Sequence, residues 1–332
     1  MLQEEAPPEI SVVLCTYNGE KFLEEQLQSI LNQSILPREI VVSDDGSSDH
    51  TMDIVHRGSA ASDPSIRWTI VQRQEPLGPA ANFAAALTQA NYDLIALSDQ
   101  DDVWESSKLE ILVAALETNA DASLVFSDAT IISDTGGASG SLMNTLLLTS
   151  GESRAISSGA ALDALMRRNL VTGATLMLRK SLLESALPIP HGWVHDEWLA
   201  LVSALQHGLI FEPLRLTRYR QHQSNQIGAV KIDSAEARRR LREPWGAFHQ
   251  KKALRNQGIA ELLDSAPSWL SAESAGTLRA KLEHDAWRAR LPISRSKRVL
   301  PVMGRFLGGH YSRFARGIVD VIRDISLVNK PD

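Results

Sequence analysis

The sequence predicts an α/β protein built on a doubly wound, mostly parallel sheet flanked by helices. Three observations carry this. Short apolar runs recur between Ile10 and Phe126, stretches of helical periodicity separate them, and the runs end in polar turn-forming clusters. Strands alternating with helices at this rhythm give a parallel sheet. In such sheets ligands bind beyond the carboxyl ends of the strands, which is where the polar clusters fall.

The elements follow in order. Ile10–Leu14 reads as the first strand and ends in Thr16-Tyr17-Asn18-Gly19, a turn signature. Leu23, Leu27, Ile30 and Leu31 then recur at helical spacing. Glu39–Val42 is the second strand, closed by Asp44-Asp45-Gly46-Ser47-Ser48-Asp49, with a helix from about Thr51. Arg67–Val71 is the third strand, and Gly78-Pro79 opens an Ala-rich helix, Ala80–Ala90. Asp93–Leu97 is the fourth strand and runs into Ser98-Asp99-Gln100-Asp101-Asp102. A helix at Lys108–Leu116 and a strand at Leu124–Phe126 come next. Gly136–Ser158, rich in Gly, Ser and Thr, reads as a long loop or mobile flap on the acceptor side. Short strands and helices mix from Leu162 to Tyr219. After about Lys231 the chain turns helical and charge-rich, opening on Arg238–Arg242, with Trp245, Trp269 and Trp287 as packing residues.

Composition bounds the rest. At 332 residues, 43% hydrophobic and 22% charged, the chain suits a globular protein with a sizeable core. A single cysteine, Cys15, excludes an intramolecular disulfide and a cysteine metal cage, and fits a reducing compartment. No apolar run approaches the ~18–20 residues of a spanning helix. The first ten residues lack the basic and apolar regions of a secretory signal, so a cytoplasmic location is expected. Net charge is −6, yet Ala286–Arg323 holds nine Lys/Arg against one acid, Asp320. This argues against bulk nucleic-acid binding and for a local basic surface. Phe314, Ile318, Val321 and Ile322 recur there at helical spacing beside Arg313, Arg316 and Arg323. Such a stripe lies on an anionic membrane surface, or packs on the catalytic domain or a second copy.

The patterns G-x-G-x-x-G, Walker A, H-E-x-x-H and G-x-S-x-G are absent, which removes the main support for dinucleotide oxidoreductase, P-loop, zincin and α/β-hydrolase chemistry. Acids at strand ends take their place. Asp99, Asp101 and Asp102 lie within four residues directly after an apolar strand. Ionised carboxylates this close need a cation or hydrogen-bond donors, and a divalent ion held by one or two of them plus substrate phosphates is the usual Mg²⁺ arrangement. The same acids also suit a solvated helix N-terminus, and Asp44–Asp49 suits a turn with a helix cap.

Taken together the clusters resemble the inverting family 2 glycosyltransferases of the GT-A fold, and within them bacterial rhamnosyltransferase-like members. The resemblance rests on Ser11-Val-Val-Leu-Cys-Thr-Tyr-Asn-Gly19, Ile40-Val-Val-Ser-Asp-Asp-Gly-Ser-Ser-Asp49, Leu77-Gly78 with Asn82-Phe83, and Ser98-Asp-Gln-Asp-Asp-Val-Trp104. Thr172-Gly-Ala174, His195-Asp-Glu-Trp-Leu-Ala-Leu201 and Tyr219-Arg-Gln-His-Gln-Ser-Asn225 complete it. It covers residues 9–228, giving an N-terminal tail at 1–8, a GT-A domain at 9–228 and a helical appendage at 229–332.

The resemblance assigns Asp45 to the nucleotide base, Thr16, Tyr17 and Asn18 to the loop around the nucleoside, and Asn82 to a position near the nucleotide. It makes Asp99-Gln100-Asp101 the D-x-D element, with Asp99 facing ribose or metal, Asp101 the main ligand of Mg²⁺ or Mn²⁺, and Asp102 behind them. Asp196 matches the general base, with Glu197 the adjacent rival; a helix cap is the plain reading of the same acid. His222 matches a metal or diphosphate ligand, Arg220 offers a phosphate partner, and Trp104 or Trp198 a stacking face for sugar, although Trp198 also suits the core. Cys15 reads as a small buried residue where relatives carry Pro or Ala. The implied activity is metal-dependent transfer from a nucleotide-sugar, dTDP-L-rhamnose before UDP-hexose, to a cell-surface or lipid-linked glycan. Two rivals remain at this point: a silent nucleotide- or glycan-binding protein of the same fold, and a nucleotidyltransferase, which would carry a Gly-rich basic loop after the first strand.

Overall fold

The computed structural model describes residues 8–222 and 245–326. The tail through residue 7, the boundary at 228/229, Arg238–Arg242 and the last three residues of the Tyr219–Asn225 motif lie outside the described residues.

In chain order the elements are β1 (Ile10–Thr16), α1 (Leu23–Leu31), β2 (Glu39–Asp44), α2 (Thr51–Ala61), β3 (Arg67–Gln72), α3 (Pro79–Leu87), β4 (Leu94–Ser98), β5 (Val103–Trp104), α4 (Lys108–Thr118), β6 (Leu124–Ser133) and β7 (Ala138–Ser141). Then come α5 (Leu142–Thr145), α6 (Ser150–Ser157), α7 (Ala161–Leu165), a 3₁₀ turn at Gly173–Thr175, β8 (Leu176–Arg179), α8 (Leu182–Ala186), α9 (His195–Leu205) and β9 (Leu209–Gln221). The last group is α10 (Trp245–Ser265), α11 (Ala272–Ala289), α12 (Arg295–Leu307), α13 (His310–Phe314) and α14 (Ile318–Ser326).

The main sheet runs β3-β2-β1-β4-β8-β6-β9-β5, with β7 paired to β6. β3, β2, β1 and β4 are parallel; β8 enters antiparallel between β4 and β6, and β6 pairs parallel with β9. Every residue of β1, β2 and β4 is buried. Helices cover both faces, so these strands read as continuous apolar runs rather than alternating ones. Val13 and Cys15 face the layer of Phe83, Trp198 and Leu199. Ile10, Val12 and Leu14 face Leu23, Leu27 and Ile30 of α1. Each such side chain contributes roughly 1.5–3 kcal/mol on full burial.

Gly136–Ser158 is not a loop. It holds β7, α5 and α6, and its small polar residues are caps. Ser141 caps α5 and donates to Asp128 Oδ2 at 2.6 Å. Thr149 and Glu152 form a capping box on α6. Glu152 also binds Arg168 at 2.9 Å, while Arg168 donates to the Leu146 and Leu147 carbonyls. Leu142, Met143 and Ile156 are buried in the core.

The basic stretch also differs from its sequence reading. Arg288 and Arg298 are fully buried. Arg288 forms a bidentate pair with Asp324 at 2.6 and 2.8 Å; Arg298 donates to the Asp324 carbonyl at 3.1 Å. Arg316 pairs with Asp320 at 3.1 Å, and Arg323 lies 3.5 Å over the Phe248 ring. Arg290, Arg295 and Lys297 face outward. The apolar stripe splits because Ala315–Gly317 separates α13 from α14: Phe314 and Val321 are buried, whereas Ile318 and Ile322 are half exposed. Among the described residues no helix is long and apolar enough to cross a membrane.

Candidate active site

Parallel pairing of β2, β1 and β4 sets the ends of three strands side by side, and their loops interlock. The Asn18 N–H donates to Ser47 Oγ at 2.8 Å, and Asn18 Oδ1 accepts the Ser48 N–H at 2.9 Å. Asn18 takes the left-handed conformation, φ 47°, to do so. Gln100 clasps the first loop from the third: its Oε1 accepts the Tyr17 N–H at 2.8 Å and its Nε2 donates to the Tyr17 carbonyl at 3.0 Å. Tyr17 itself is 40% exposed at the rim.

Several of the sequence candidates build this edge from beneath. The Thr16 hydroxyl donates to Asp44 Oδ1 at 2.8 Å. Asp45 accepts the Leu77 and Gly78 N–H groups at 2.7 and 2.8 Å, closing the β3–α3 loop on the β2 loop. Asn82 is buried; its Nδ2 donates to the Ser43 carbonyl at 2.9 Å and its Oδ1 accepts the Ser43 hydroxyl at 2.6 Å. That makes Asn82 a strut between α3 and β2.

The long strand β9 delivers His222 and Arg220 to the D-x-D loop. His222 Nε2 stands 2.8 Å from Asp101 Oδ2. The Arg220 N–H donates to Asp102 Oδ1 at 2.8 Å, leaving Asp102 Oδ2 buried without a partner. The Arg220 guanidinium donates to the Asp101 carbonyl at 2.8 Å and to Glu25 at 2.6 Å, and rests 4.6 Å over Phe22. It ties the loops together rather than presenting an open fork to phosphate. Trp104 is buried with the Lys108 ammonium 3.9 Å over its ring, so its face is not offered to a sugar. Trp198 is buried in the core and donates to the Ala186 carbonyl at 2.8 Å.

Lys108 is a site residue that the sequence does not single out. It opens α4, where a lysine ordinarily points to solvent, yet it is fully buried. Its Nζ donates to the Ala174 carbonyl at 2.6 Å and to Thr217 Oγ1 at 3.0 Å. Burial pulls its pKa down to about 7 against the opposing charges of Asp102 and Asp99. Those acids shift the other way. Burial first, then Asp101 and Asp196, push Asp99 up to about 7; burial and its neighbouring carboxylates raise Asp102.

Asp196 lies in the first turn of α9. Its Oδ2 accepts the Gly173 N–H at 2.9 Å, and its Oδ1 accepts the Glu197 N–H at 2.6 Å. Burial pushes it up to about 6. His195 stacks on Phe83 at 3.9 Å, and burial holds its pKa down at about 3, so it stays neutral. Glu197 pairs with Arg255 at 2.7 Å.

Among the described residues no group of three or more His, Cys, Asp and Glu is arranged as a complete metal cage. The donor set still fits a hard divalent ion. Asp101 and His222 are adjacent, Asp102 keeps an unpartnered oxygen, and diphosphate oxygens ordinarily complete such a sphere.

A solved structure of S. aureus TarS in complex with UDP-GlcNAc superposes with TM-score 0.58 at 15% identity, covering 95% of this chain and 89% of that one. The mannosyltransferase PcManGT from Pyrobaculum calidifontis, solved with GDP-Man and Mn²⁺, gives TM-score 0.50 at 18% identity over 92% and 79%. Likeness at this identity shows the fold, which is GT-A. The dTDP-rhamnosyl transferase RfbG of Shigella flexneri is 37% identical over 109 residues, which is 32% of this chain and 37% of that protein. The match spans between 13% and 40% of the length of the curated relatives. Residues 11–183, more than half of the chain, match the family model Glycosyl transferase family 2, with Asp196 and His222 beyond its end. The interlocked loops, the acids at the strand ends and this match agree, and the chain belongs to glycosyl transferase family 2.

Proposed function

We propose that the protein is a metal-dependent, inverting glycosyltransferase that moves a sugar from a nucleoside-diphosphate donor to a cell-surface polysaccharide or lipid-linked glycan. The observation that carries this is geometric: Asp196 accepts the Gly173 N–H at 2.9 Å, on the turn that leads into β8, and β8 pairs with β4, whose end bears the D-x-D acids. In this reading the base and the diphosphate site lie side by side at the ends of the strands. Asp196, poised at about 6, takes the proton of the acceptor hydroxyl as that oxygen attacks the anomeric carbon. Asp101, His222 and Asp99 would hold Mg²⁺ or Mn²⁺, which supplies positive charge to the leaving diphosphate. The loops of Tyr17, Asn18 and Asp45 shape the nucleoside end, with residues 9–228 as the GT-A unit and 229–332 as its appendage.

The relative from S. flexneri and the sequence motifs favour dTDP-L-rhamnose over UDP-hexoses as donor. A hydrolysis screen over nucleotide-sugars with Mn²⁺ or Mg²⁺ tests this. Release of dTDP from dTDP-L-rhamnose is expected. Donor binding with no release from any sugar identifies a silent binding protein, and release of pyrophosphate in a parallel incubation with dTTP and a sugar 1-phosphate identifies a nucleotidyltransferase.

The proposed acceptor would bring the protein to the cytoplasmic face of a membrane. Leu300 is 83% and Leu307 80% exposed, and Ile293, Ile318, Val319 and Ile322 are more than half exposed. Arg290, Arg295 and Lys297 stand out from the same helical region. No acid occurs between Ala286 and Val319. Each exposed base contributes on the order of 1 kcal/mol at an anionic surface. Co-sedimentation with anionic vesicles, weakening as salt rises, is expected; indifference to such vesicles at low salt removes the membrane from the proposal.

A further inference from the structure

Helix α10 follows the catalytic sheet in sequence, yet it is pressed against Pro190–Trp193, the segment leading into α9. A Cβ at Gly258 would stand 2.6 Å from Pro190 Cβ and 3.2 Å from Trp193 Nε1. Across the contact, a Cβ at Gly192 would meet Leu254 Cβ at 2.9 Å, and Gly192 has φ +86°. Only glycine permits an approach this close. Trp193 Nε1 donates to the Arg255 carbonyl at 2.9 Å, and the Arg255 guanidinium lies 4.3 Å over the Trp193 ring. From there it reaches Glu197 at 2.7 Å.

Two adjacent acids begin α9, and a transfer site needs one base. Resting on the reading of Asp196 as that base, we propose that Arg255 is a positioning residue: it engages Glu197, fixes the start of α9, and leaves Asp196 as the carboxylate that meets the acceptor hydroxyl. The appendage thereby belongs to the acceptor side of the site.

The groups around Asp196 are the Gly173 and Glu197 N–H donors, the acids Asp99 and Glu197, the Arg255 cation and the neutral His195. Arg255 lowers both Asp196 and Glu197 against the burial that raises them. Without it Glu197 is a buried acid lacking its counter-charge, and Asp196 titrates higher.

The test is the pH profile of kcat/KM, with kcat and donor KM measured separately. Arg255→Met should lower kcat roughly ten- to a hundredfold, up to the loss that a base misplaced by about 1 Å brings, with donor KM unchanged. Its acid limb should move up by as much as about one pH unit. Arg255→Lys should restore the limb. Arg255→Met combined with Glu197→Gln should recover most of kcat, because the uncompensated acid is gone. Wild-type kcat and limb in Arg255→Met overturn the proposal. So does equal loss in the Met, Lys and double variants, which marks Arg255 as packing alone. If instead Glu197→Gln removes the limb and Asp196→Asn keeps it, Glu197 is the base and the underlying reading fails.

Discussion

Asp196→Asn is expected to lower transfer by roughly 10²-fold or more, the scale of losing a general base, while donor affinity changes little. The amide has the shape of the carboxylate, so the local frame persists. Asparagine Oδ1 can still accept one of the two N–H groups, Gly173 or Glu197, that now point at the acid. Its NH₂ faces the other, at a cost of about 1–3 kcal/mol in stability. The pH dependence gives a second readout. Burial lifts Asp196 to about 6, and a base works in its deprotonated form, so wild-type kcat/KM rises as pH increases through that value. Asp196→Asn should lack this limb. Collapse of donor binding with high residual turnover would show that the base has been misassigned.

The second large effect is at Asp101. Asp101→Ala should abolish transfer and weaken binding of the nucleoside diphosphate, since the carboxylate beside His222 is the proposed main ligand of the cation. The variant should remain folded. The Asp101 backbone carbonyl, which accepts from Arg220, is untouched. Removing one of several mutually repelling acids also relieves Asp99 and Asp102, both of which Asp101 raises. Calorimetric titration of dTDP with and without Mn²⁺ separates the binding loss from the loss of turnover. Full activity in Asp101→Ala, or in wild type with excess EDTA, would exclude the metal.

What could be read from sequence follows from where burial is two-sided. β1, β2 and β4 are covered on both faces, so their apolar runs are plain in the sequence and mark the loops at their ends. β8 and β9 carry no comparable signal. β8 is four residues long, β9 is exposed through Leu214 and Arg215, and no local periodicity reports antiparallel pairing. In Gly136–Ser158 composition outweighed one specific signal, the Thr149-x-x-Glu152 capping box. Counting charge between Ala286 and Arg323 overstated the surface because Asp324, the main partner of Arg288, stands one residue past that window. At the site, Asp99, Asp101 and Asp196 are legible as acids after strands or opening a helix. Lys108 and Arg255 are not. Their significance comes from burial and from partners far away in the chain, and nothing in the neighbouring residues marks it.

Lys108 has a consequence for building chimeras in this family. In the proposed function the nucleotide-side loops come from the first third of the chain and the acceptor side from residues after Thr172, so the exposed turn near Asn119–Asp121 is a natural splice point. Yet the Lys108 ammonium crosses that junction to Ala174 and Thr217. The first contact is to a backbone carbonyl, which any incoming half supplies. The second is to a side-chain hydroxyl, so a transplanted acceptor half must bring Thr or Ser to position 217, or the buried cation loses a ligand at the seam.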